Sequence, residues 1–235
     1  MNQSNKEYIE LLIGSGVHTL LKETPNNFLE TKDNTFHKKI TKKDLHEINE
    51  IEELISLISI HENPLKKIAK KLLVYDGDLK SKLMIIGEAP GKAEGNQGKP
   101  FITRGDQLLG KMLAAIKIDR KKIYITNVIP WCIPEDRKPS DKEILEFLPF
   151  LQRQIEIIKP TFIFLLGSTA AKAILSTPLS LDKLRCKWHE YKSINMKTSS
   201  KVLVSYSPDF LLRSPNYKKE AWVDLQMLQK KINEN

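Results

Sequence analysis

Only two of the 235 residues are cysteine, Cys132 and Cys186. Two thiols cannot build a disulfide scaffold or a four-thiolate metal site, and they fit a reducing compartment. No apolar run approaches the roughly eighteen residues that a membrane span needs. The first residues, Met1 to Glu7, are polar and lead into no apolar stretch of the signal-peptide kind. A cytoplasmic protein is therefore expected. Histidine is sparse: His18, His37, His46 and His61 lie in the N-terminal part, and His189 stands alone. No pair has metal-ligand spacing, so no metal is expected. There is no Walker pattern, no Gly-x-Gly-x-x-Gly spacing, no internal repeat and no low-complexity tract.

What is present is ordinary globular composition, with 40% hydrophobic and 29% charged residues. The length suffices for one sizeable core, or for one core with a modest appendage. The formal net charge is +9. Such a surface attracts polyanions, nucleic acid or an acidic membrane, although a lysine-rich composition can also be a genome-wide habit.

The first fifty residues differ from the rest. Glu7 to Ile13 reads as a short helix, and Pro25-Asn26-Asn27 as a turn. Thr41 is positioned to cap a helix carrying Leu45, Ile48, Ile51, Leu54 and Ile55 on one stripe and ending before Pro64. Residues 1–59 are read as an N-terminal helical extension packed on the core, with a partly disordered arm as the alternative. Residues 60–235 are read as the α/β domain.

From residue 83 apolar runs and helical spacings alternate. Leu83 to Ile86, Ile123 to Val128, Phe162 to Leu166 and Lys201 to Val204 read as buried strands. Ser140, with Glu143 three residues on, reads as a cap for a helix to Ile158, which Pro160 stops. Further helices are expected over 108–116, 168–174 and 217–232. The fold class is α/β: a three-layer αβα sandwich around a central, mainly parallel four-stranded sheet. Ligands of such sheets sit at the C-terminal strand ends. Four segments follow those ends: Gly87–Gly91, Asn127–Arg137, Gly167–Thr169 and Ser205–Arg213.

In Gly87-Glu88-Ala89-Pro90-Gly91 the glycines and proline fix a tight turn whose free N–H groups can cradle an anion or a carbonyl. A structural turn with a solvated Glu88 is the alternative. Asn127, at a strand end, either forms a turn or reads the edge of a base, since an amide donates and accepts together. Phe101, after Gly98-Lys99-Pro100, either stacks on a base or anchors its loop. Lys99 and Arg104 suit phosphate contacts, or are single solvated charges. Leu211-Leu212, beside Arg213, Lys218 and Lys219, is either a core pair or a wedge that enters a duplex while cations hold phosphates. Ser207 has no histidine near it in sequence, so no hydrolase triad is proposed.

Taken in order, these segments resemble the family 4 uracil-DNA glycosylases. The matches are Gly87 to Gly91, Gly98 to Phe101, Tyr124 to Val128, Pro134 to Pro139, Leu165 to Gly167, and Pro208 through Arg213. They span roughly residues 60–232, and Tyr8 to Pro25 looks like an extension of some proteobacterial members. The resemblance implies flipping of uracil out of single- or double-stranded DNA and hydrolysis of its N-glycosidic bond, by a monomer in a bacterial, DNA-associated setting. Glu88 would position water or offset the sugar cation. Phe101 would stack on uracil, Asn127 would read its polar edge, and groups around Gly87 and Ala89 would contact its carbonyls. Leu211 or Leu212 would fill the gap in the duplex.

Two departures from the family pattern stand out. The four cluster cysteines are replaced by Ile60, Asn63, Trp131 and Phe147, so no iron–sulfur cluster and no other cofactor is expected. Where the family has His-Pro this chain has Ser207-Pro208, so weakened catalysis is expected, with Ser207 acting directly or through water. The competing expectations are a DNA-binding protein without efficient turnover, a glycosylase of different specificity, such as for hypoxanthine or for uracil opposite guanine, and a nucleotide-handling enzyme unrelated to DNA.

Overall fold

A computed structural model describes residues 42–69, 71–97, 102–193 and 195–234. The expected helix over Glu7–Ile13, the turn at Pro25 and the Thr41 cap lie outside them. Among the described residues the α-helices are α1 (Lys42–Glu47), α2 (Ile51–Ile60), α3 (Pro64–Ile68), α4 (Lys92–Gln97), α5 (Arg104–Ala115), α6 (Asp141–Ile158), α7 (Ser168–Leu175), α8 (Leu181–Leu184), α9 (Pro208–Arg213) and α10 (Lys218–Asn233).

The strands are β1 (Tyr75–Gly77), β2 (Leu83–Gly87), β3 (Tyr124–Asn127), β4 (Phe162–Leu166), β5 (His189–Tyr191) and β6 (Ser200–Ser205). They form one sheet in the order β1-β3-β2-β4-β6-β5. The four inner strands are parallel, and they are the four read as apolar runs. The four-stranded expectation is corrected at both edges, where β1 and β5 pair antiparallel with β3 and β6. Each added strand is only three residues long and partly exposed, so it has no apolar run to betray it.

Both faces of the inner strands are buried, which explains their unbroken apolarity. Because side chains alternate along a strand, successive residues enter different cores. Met84, Ile86, Tyr124, Ile163, Leu165, Val202 and Val204 join one, with α2, α6 and α7. Leu83, Ile85, Ile125, Phe162, Phe164, Leu166 and Leu203 join the other, with α5 and α10. The result is the expected three layers.

The expected single helix before Pro64 is two, α1 and α2. The break has a tertiary cause. Arg153 on α6 donates from Nε to the Ile48 carbonyl oxygen at 2.7 Å and donates to it again from Nη2. A carbonyl held in this way is turned from the helix ladder. Leu45, Ile51, Leu54 and Ile58 share a core with Phe147 and Phe150.

Candidate active site

Parallel pairing brings the C-terminal ends of β2, β3, β4 and β6 to one edge of the sheet. In that register Gly87 is level with Asn127, and Leu166 with Ser205. The four segments singled out in sequence all contribute to one cleft of about 1120 Å³, through Gly87 to Gly91, Asn127, Ile133 and Arg137, Gly167 and Ser168, and Tyr206 to Phe210 with Arg213.

The Gly87–Gly91 turn is closed by the buried Glu94, whose Oε2 accepts the Gly91 N–H at 2.6 Å. Beyond the formal strands the pairing continues, with Val128 N–H donating to Gly87 O and Ile129 N–H to Glu88 O. Asn127, largely buried, lays its amide against Gly87. A β-carbon on Gly87 would lie 2.4 Å from Asn127 Oδ1, so any side chain there would have to displace the Asn127 amide. Glu88 lines the cleft, and one of its oxygens accepts the hydroxyl proton of Thr169, the second residue of α7. Among the described residues its Oε1 has no hydrogen-bond partner.

Ser207 is the N-cap of α9, and its Oγ accepts the Phe210 N–H at 3.3 Å. The neighbouring Asp209 reaches α5. A β-carbon on Gly105 would lie 2.5 Å from Asp209 Oδ1, so the glycine is the notch that admits the carboxylate. Behind Ser207, the fully buried Asp224 accepts from Arg185 Nε at 2.8 Å and from Ser205 Oγ at 2.6 Å. Arg185 also donates to Glu220 at 2.6 Å and stands 4.1 Å over the Tyr206 ring. The Tyr206 hydroxyl lies 2.8 Å from Asp182 Oδ1 and 2.9 Å from Glu220 Oε2. Burial, then these carboxylate acceptors, push its pKa well up and hold it neutral. Burial opposes the charge on Arg185, yet Asp224 and Glu220 raise its pKa and keep it cationic.

Gly87, Glu88, Ala89, Asn127 and Ser207 are thus brought together in the cleft. Lys99 and Phe101 lie outside the described residues. Arg104 is exposed at the start of α5, next to the cleft-lining Thr103. Arg213 lines the cleft, whereas Lys218 lines a separate hollow between α5 and α10. The leucine pair divides. Leu212 is 39% exposed, but Leu211 is 1% exposed and packs in the α5–α10 core. The wedge expectation for Leu211 is corrected accordingly, because adjacent residues of a helix point about 100° apart. Thr169, Asp182, Tyr206, Phe210 and Tyr217 were not singled out. The segments after β4 and β6 contain Thr169, Tyr206 and Phe210, but nothing local marks Asp182 or Tyr217.

The four positions that the resemblance assigns to a cluster do not fit one. Ile60 is exposed, and the Asn63 side-chain Oδ1 accepts the Leu65 N–H. Asn63 Nδ2 and Trp131 Nε1 are buried donors, which offer no lone pair to iron, and Phe147 is buried hydrocarbon. Among the described residues no group of three or more His, Cys, Asp or Glu is arranged to hold a metal ion, and no helix is long and apolar enough to cross a membrane.

A model of the uracil DNA glycosylase superfamily matches residues 74–226. The type-4 uracil-DNA glycosylase of Pyrobaculum aerophilum is 33% identical over 168 residues, covering 70% of this chain and 85% of the relative. That of Sulfurisphaera tokodaii is 35% identical over 159 residues, 66% of this chain and 71% of the relative. That of Thermotoga maritima is 32% identical over 169 residues, 69% and 85% respectively.

Proposed function

The chain belongs to the uracil-DNA glycosylase superfamily, and from that premise we propose that it hydrolyses the N-glycosidic bond of deoxyuridine in DNA, as an early step of repair, with Ser207 making it a slow member. The observation that carries this reading is the junction of Glu88, Asn127 and Ser207 at the mouths of four parallel strands. A base inside a duplex cannot reach such a cleft, so the nucleotide must turn out of the stack.

In the slot, the Asn127 amide donates to and accepts from the imide edge of uracil. The C1′–N1 bond breaks, its electron pair leaves with uracil as an anion, and water adds to C1′. Glu88, oriented by Thr169, offsets the positive charge on the sugar and accepts a proton from that water. Ser207 Oγ takes the Phe210 N–H on a lone pair, which leaves its own proton to donate to a uracil oxygen. One serine hydroxyl replaces an imidazole donor, and losing such a donor slows acyl-transfer enzymes by roughly 10²–10³-fold.

The test is a single-turnover assay on a uracil-containing oligonucleotide, with alkaline cleavage of abasic sites. The native chain yields abasic product, and Glu88→Ala and Asn127→Ala yield far less. Tight binding with no abasic product after long incubation would instead favour the second reading, which Ser207 itself motivates: a DNA-binding protein of this fold without efficient excision. Release of hypoxanthine but not uracil would assign another deaminated base.

A further inference from the structure

The cleft exceeds the roughly 300–1,000 Å³ typical of a pocket for one small ligand. Its Ser207 bank carries an aromatic surface that the chemistry does not use. Tyr206 and Phe210 stack with ring centroids 5.0 Å apart, and Tyr217 closes the group at 5.1 Å from each. Tyr206 is buried and fixed by Asp182, Glu220 and Arg185. It is a rigid base for the other two rings. Phe210 is half-buried, and Tyr217 leaves 39% of its surface in water. The Tyr217 hydroxyl has no hydrogen-bond partner among the described residues.

Both rings line the same cleft as Glu88 and Asn127. Exposed Leu212 and the cations Arg213, Lys218 and Lys219 adjoin them in the chain. The acids nearby are engaged, Glu220 with Arg185 and Asp209 in the Gly105 notch. An exposed aromatic face continuous with a base slot and flanked by cations is the combination by which single strands are gripped. Every base has a π-face to stack, and phosphates need only positive charge. Inside a duplex both faces of a base are covered by its stacked neighbours, so the ledge suits an unpaired, unstacked base.

We propose that Phe210 and Tyr217 form a stacking ledge for a second, unpaired nucleobase, so that the protein holds a DNA strand over at least two nucleotides. One base sits in the Asn127 slot and its neighbour on the ledge. The identity of the first base rests on the uracil reading, but the ledge itself does not require it.

The experiment titrates the native chain into single strands carrying fluorescent aminopurine on either side of a non-hydrolysable fluorinated deoxyuridine, and into matched strands with thymidine there. Aminopurine emission should fall on one side when the complex forms. Tyr217→Ala should abolish that quenching and weaken binding about tenfold, within the range that one stacked base contributes. The loss should be equal at low and high salt, because stacking releases no counterions. Arg213→Ala should instead flatten the salt dependence. Tyr217→Trp should keep the quenching, and melting temperatures of the variants establish that they fold. Uracil excision without quenching on either side overturns the ledge and leaves the glycosylase reading intact. Quenching without excision does the reverse. Tyr217→Ala binding and quenching as the native chain does also overturns the ledge.

Discussion

In the proposed mechanism Ser207 serves two partners with one oxygen. As an N-cap it takes the Phe210 N–H, and as a donor it faces the cleft. A histidine there would strengthen the donor but lose the hydroxyl cap. Ser207→His should therefore raise single-turnover excision by about 10²-fold, while lowering unfolding free energy in urea by about 1 kcal/mol. Unchanged activity would mean that the pocket serves another purpose. In the proposed mechanism Thr169 is a positioning residue, because its hydroxyl binds Glu88. Thr169→Val should slow excision about tenfold with strand affinity unchanged, and Thr169→Ser should restore the rate. A purely structural role would lower melting temperature in both variants and separate neither. The placement of the candidate site residues was partly legible. Glu88 and Asn127 stand at strand ends, where a parallel sheet puts its ligands. Leu211 and Leu212 could not be told apart, because which of two adjacent residues faces the core depends on how a six-residue helix is docked.

Among the elements, α6 shows how local chemistry can be read directly. Ser140 Oγ accepts the Glu143 N–H at 3.3 Å, and Glu143 accepts the Ser140 N–H at 2.7 Å. Arg137 adds two hydrogen bonds to the same carboxylate, at 2.9 and 2.6 Å. Those bonds from Arg137, ahead of the capping bonds, lower the Glu143 pKa from 4.5 to about 2. A carboxyl with a depressed folded-state pKa stabilises the fold above its ordinary value and loses that contribution as pH falls toward the folded one. The melting-temperature gap between the native chain and Glu143→Gln should hold from about pH 7 to pH 5 and close between pH 4.5 and about 2. The break between α1 and α2 was illegible for the opposite reason. Its cause, Arg153, lies 105 residues away along the chain. The edge strands were hidden too, since Tyr75-Asp76-Gly77 and His189-Glu190-Tyr191 become strands only by joining a sheet already built.

At the largest scale described, one sheet divides two cores, and three of the four positions assigned to a metal cluster by resemblance, Asn63, Trp131 and Phe147, are buried in the packing. Phe147 has no exposed surface and meets His61 edge-on, with ring centroids 6.0 Å apart. His61 Nε2 in turn lies 2.9 Å from Glu146 Oε1. Phe147→Ala should destabilise the fold by about 3–5 kcal/mol, measured by chemical unfolding. The chain purified without oxygen should carry no stoichiometric iron, as read by an iron assay.

The Gly87–Asn127 contact restricts how this pocket can be re-engineered. The amide occupies the volume where its neighbour's side chain would begin, so the two sites vary as a lock and its key. A library randomised at both should return glycine at 87 in every clone that keeps asparagine at 127. Retargeting to a different base would then start from 127, with the first site free to drift only after the amide is gone.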